Sequence, residues 1–102
     1  MAIKYSTAKA AVIGVVDDFT EKDVMSGYGN AYNSKTKLDK LGIGHAVLAV
    51  MPPRFNKVMR GLVGDVWDRV GPLDTVACGT IGDLIVLACG QGGIGIPAGE
   101  PT

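Results

Sequence analysis

Leu73-Asp74-Thr75-Val76-Ala77-Cys78-Gly79-Thr80-Ile81-Gly82-Asp83-Leu84-Ile85-Val86-Leu87-Ala88-Cys89, followed by the glycine cluster Gly90 to Ile96, governs how the rest of the chain must be arranged. The run reads as a β-hairpin. Two apolar segments rich in Val, Ile, Leu and Thr flank Gly82 and Asp83, a pair able to adopt the positive φ of a two-residue turn. An isolated hairpin is not stable in water, so the remaining chain is expected to cover it. In that register Cys78 lies opposite Leu87 and only diagonal to Cys89, which predicts two reduced thiols and no disulfide.

Immediately upstream, Gly71 and Pro72 close the main amphipathic helix. Phe55, Val58, Met59, Leu62, Val63, Val66, Trp67 and Val70 project onto one arc at about 100° per residue. Lys57, Arg60 and Asp68 take the other side, and Pro53 suits the first helical position. Gly61 and Gly64 fall on the outward face, where each costs about 1 kcal/mol relative to Ala. Close approach of a second subunit would account for them, and so would neutral surface glycines in a glycine-rich chain.

Further out, Ala10 to Val16 (AAVIGVV) reads as a strand buried on both faces. Gly44 to Met51 (GHAVLAVM) reads as another, with His45, Val47, Ala49 and Met51 on one face and Pro52-Pro53 ending it. Between them, Asp17 to Lys40 carries nine of the twenty charged residues, which marks it as the solvated part. Thr20 followed by Asp23 is a capping-box pattern for a short helix near Glu21. Tyr28 and Tyr32, set among Ser, Gly and Asn, have the composition of an adaptable binding loop, and equally of a plain polar loop. The predicted fold is α+β: a small mixed or antiparallel sheet with a C-terminal β-hairpin and one main amphipathic helix packed on it. A single domain spans 1–102, without internal repeats. Its Gly/Pro-rich tail, 90–102, is expected to be ordered by contacts that include Gly92, Gly93 and Pro97.

Composition narrows the function. With 47% hydrophobic and 20% charged residues in 102, apolar surface is expected to be covered by another subunit. Ten acids balance ten bases, which removes the electrostatic footprint of a nucleic-acid binder. No apolar window is long enough to span a bilayer, so no membrane partner is expected. The start, Met1 to Ala8, lacks the apolar core of a secretory leader, which predicts a cytoplasmic or virion location.

Motifs for catalysis and cofactors do not converge. Gly90, Gly92 and Gly95 match G-x-G-x-x-G, but a dinucleotide site needs a following helix and a further strand, and only seven residues come after Gly95. No cofactor is expected. Val15-Val16-Asp17-Asp18 resembles the start of response-regulator receiver domains, whose acidic pair helps hold magnesium; the resemblance ends there, because the next predicted strand closes in Met51-Pro52-Pro53 instead of a phosphoacceptor Asp. Asp17, Asp18 and Asp23 could offer oxygen ligands to a hard cation, or could simply end a strand and cap a helix. His45 is the only histidine, so any Ser-His or Cys-His chemistry would have to use it. Cys78 and Cys89 lie in apolar surroundings that predict inert thiols.

The opening Met1-Ala2-Ile3-Lys4-Tyr5-Ser6-Thr7-Ala8 resembles the starts of small tailed-phage virion proteins, which implies a head-decoration or tail component. The reading that follows is a non-enzymatic structural subunit that self-associates or coats a larger protein shell. Its contact candidates are Gly61, Gly64, Tyr28, Tyr32, Gly92, Gly93 and Pro97. The alternative is a small ligand- or metal-binding enzyme with a site between subunits, built on Asp17, Asp18 and His45.

Overall fold

The computed structural model describes residues 3–20 and 33–101, and these form an all-α fold. Helix α1 is Tyr5–Phe19, α2 is His45–Val50, α3 is Pro52–Val63, α4 is Pro72–Val76 and α5 is Ile81–Gly92. Short 3-10 helices occupy Leu38–Leu41 and Gly64–Val66. The α+β expectation is therefore overturned: among the described residues the β structure amounts to one isolated antiparallel bridge, Lys37 to Thr80.

The hairpin fails at its supposed turn. Gly82 and Asp83 lie in the first turn of α5, and Thr80 is its N-cap. The Thr80 hydroxyl accepts from the Asp83 N–H at 3.2 Å, while Asp83 Oδ2 accepts from the N–H groups of Thr80 at 3.1 Å and Gly79 at 2.9 Å. A reciprocal box of this kind satisfies donors that a helix start otherwise leaves unpaired. Ile81, Leu84, Ile85, Ala88, Cys89 and Gly92 are then buried at helical spacing, which two strands of alternating faces could not achieve. Gly93, at φ 66°, ends the helix.

The two predicted strands are helices for the same reason. In α1 the buried positions are Ala8, Val12, Val15 and Val16, a stripe of steps four, three and one. β-Branched residues weaken a helix by up to about 0.7 kcal/mol each relative to Ala. Burying each such side chain contributes roughly 1.5–3 kcal/mol, so packing decides. In α2, Leu48 is buried while Val50 stays 63% exposed, and Met51, three residues after Leu48, is buried too. Pro52 and Pro53 open α3 instead of closing a strand, because a helix's first turn needs no N–H partner there.

The amphipathic helix exists but is shorter than its apolar arc. Gly64 adopts φ 74°, a conformation that favours glycine, and ends α3. Asn56 then fixes the chain that follows: its Oδ1 accepts from Trp67 Nε1 and from the Val70 N–H, and its Nδ2 donates to the Val70 carbonyl, all at 2.9 Å. Phe55 and Trp67 pack with their rings tilted by 41° and their centroids 5.8 Å apart. Helix α1 packs on α5 and on α3, with α3 also touching α5, and this trio surrounds the main core. The short α2 and α4 pack together at one side, where the buried Thr75 hydroxyl donates to the Leu48 carbonyl at 2.6 Å.

The tail is held by its own chain. Tyr5 Oη donates to Glu100 Oε2 at 3.3 Å, and Lys9 Nζ lies 3.8 Å from the same oxygen. Residues 34–38 run against the start of α5, with the Gly82 N–H donating to the Ser34 carbonyl at 2.8 Å.

Candidate functional site

Two of the concave surfaces among the described residues are organised by α2. The first is a groove of about 560 Å³ between the 3-10 helix Leu38–Leu41, the start of α2 and the link from α4 to α5. His45 and Asp39 stand exposed on its wall, and Cys78 lies in it. Burial, then the carboxylates of Asp83 and Asp74, push the Cys78 thiol up to about 11. A thiol so disposed is protonated near neutral pH and is a poor nucleophile or ligand. Among the described residues no three His, Cys, Asp or Glu side chains gather to hold a metal ion.

Asp17 and Asp18 do not line this groove. They occupy the last turn of α1, and Asp18 Oδ2 receives Nε and an NH2 nitrogen of Arg54, each at 3.0 Å. The residues of the alternative site are thus divided between two places. Asp17 Oδ1 is buried without a hydrogen-bond partner, as is Ser34 Oγ. Asp23 lies outside the described residues, as do Tyr28 and Tyr32.

The second concavity, about 700 Å³, runs between the end of α2, the exposed side of α3 and the turn into α4. Its apolar floor comprises Ala49, Val50, Pro52, Pro53, Val70 and Pro72, while Lys57, Arg60 and Arg69 supply cationic rims. Among the described residues no carboxylate lines it. Arg60 reaches Asp65 at 3.7 Å, but both side chains are largely solvated, so that pair contributes little. Asn56 also borders the groove, and its amide is already engaged by Trp67 and Val70.

The glycines singled out as contacts have separate placements. Gly61 is exposed within α3, with nothing within 4 Å of where a Cβ would sit. Gly64 serves the end of α3 and Gly93 the end of α5. Gly92 is buried, its Cβ position 3.6 Å from Trp67 and Val63 atoms of the same chain, and Pro97 is exposed. Gly90 and Gly92 fall near the C-terminal end of α5, where the helix dipole disfavours phosphate. Sequence reasoning missed the α2–α4 groove. Its signal was present in Lys57 and Arg60, three residues apart on the polar side of α3, beside Pro-Pro and an off-stripe Val50.

No family model matches the chain, and no curated protein or solved structure matches it either. No helix among the described residues is long and apolar enough to cross a membrane.

Proposed function

We propose that this chain is a non-enzymatic assembly subunit that docks, through the α2–α4 side, onto copies of itself or onto a larger protein shell. The observation that carries this reading is the apolar exposure there. Val50 in the groove is 63% exposed, and Leu73, next to the groove residue Pro72, is 86% exposed. Aliphatic side chains beside a concave apolar surface are what a protein contact covers. A virion head or tail is the proposed shell, on the resemblance carried by Met1 to Ala8.

Light scattering coupled to size exclusion at micromolar concentration tests the proposal. Association with further copies or with a shell protein, which Val50→Ser with Leu73→Ser abolishes without loss of helicity, is the expected result. A strict monomer that also fails to bind any shell would overturn it.

A further inference from the structure

We infer that the α2–α4 groove is built for an acidic segment of a different polypeptide, one that carries aliphatic anchors flanked by Asp or Glu. This deepens the larger-shell form of the assembly reading and rests on it. The floor sets the anchors: Val50, Pro53 and Pro72 present aliphatic surface, and the polar floor group Asn56 already engages its Oδ1 with two donors and one Nδ2 hydrogen with the Val70 carbonyl. An entering side chain therefore finds mainly apolar contact there. A volume of about 700 Å³ accommodates a few side chains of a docked segment.

The rim sets the flanks. Lys57, Arg60 and Arg69 border the groove with no acid among the described residues that line it, in a chain whose total charge is zero. A local cationic rim on a neutral molecule selects the sign of its partner and steers encounter. The same rim argues against a second copy placed groove to groove. A two-fold contact would set each cation against its own image, and like charges juxtaposed at an interface are unfavourable. Nucleic acid fits less well, because single strands are held by aromatic stacking platforms and no aromatic side chain lines the groove among the described residues.

The test uses the full chain to select from a random-peptide display library, with the Lys57→Glu/Arg69→Glu and Val50→Ser variants as counter-screens. All three positions are exposed, so the variants should keep the far-ultraviolet dichroism of the parent. Enriched peptides with Leu, Ile or Val between acidic residues, bound roughly tenfold more weakly by the charge-reversed variant and progressively more weakly as salt rises, are the expected outcome. Enrichment of basic or aromatic peptides, equal binding to the variants, or no enrichment would overturn the inference. So would tighter binding of oligo-dT or of phosphatidylglycerol vesicles that the charge reversal removes. Light scattering on the same preparations separates the two readings: association without acidic-peptide binding removes this inference alone, whereas loss of both removes the assembly reading as well.

Discussion

Gly82 and Gly90 lie in one helix and should answer oppositely to the same substitution. A Cβ at Gly82 would fall 2.8 Å from the Ser34 carbonyl oxygen, a backbone atom fixed by its own hydrogen bond to Gly82, whereas nothing lies within 4 Å of that position at Gly90. Gly90→Ala is expected to raise stability by up to about 1 kcal/mol through helix propensity. Gly82→Ala should lower it despite the same propensity gain, and denaturant midpoints of the pair measure the contrast. Cys78 supplies a second test at this scale. Its thiol is held up to about 11 by burial and by Asp83 and Asp74, against an ordinary value of 9.0. The folded chain keeps the proton that the unfolded chain has lost, so this contribution is full below pH about 9 and disappears as pH climbs towards about 11. Denaturant midpoints recorded across that window should fall more steeply for the parent than for Cys78→Ala.

Among the elements, α3 depends on Asn56 to hold the chain that leaves it. Asn56→Ala strands the Trp67 indole N–H together with both backbone groups of Val70, and leaving each such group unpaired costs about 1–3 kcal/mol when it is shielded from water. A loss of about 3 kcal/mol is expected, with Asn56→Asp losing less because its carboxylate still accepts from Trp67 and Val70. Urea titrations followed by Trp67 emission would register both. Helix α3 was legible in the sequence because its apolar arc is flanked by polar residues and opened by Pro. The other elements were not, for a shared physical reason. Val and Ile in α1 and α5 favour strands locally and Gly weakens a helix, yet burial of one helical face outweighs both preferences. In α5 the deciding signal was Thr80 with Asp83 three residues on, a capping box concealed by the likeness of Gly82-Asp83 to a turn. In α2, Pro52-Pro53 looked like a strand end, although Pro is equally at home opening a helix. The candidate site was legible only in part: Lys57 and Arg60 were placed on the polar side of α3, but the groove they border needs α2 and α4 folded as helices beside it.

For the whole molecule, Gly61 separates monomer stability from assembly. It is exposed inside α3 with open space around its Cβ position, so Gly61→Ala should stabilise the isolated chain by about 1 kcal/mol. If copies pack closely on that face, the same change weakens association, and thermal melting and light scattering on one sample would move in opposite directions. The pinning of the tail has a different consequence. With Tyr5 bonded to Glu100 at 3.3 Å, the two extremes of the described chain meet at one spot on the surface, and the backbone is almost a closed ring. Bridging residues 101 and 3 with a short Gly/Ser linker and reopening the ring at the exposed turn around Gly64 should give a circular permutant that retains the packing of α1 on α5. Copies fused in tandem would likewise enter and leave through that single spot.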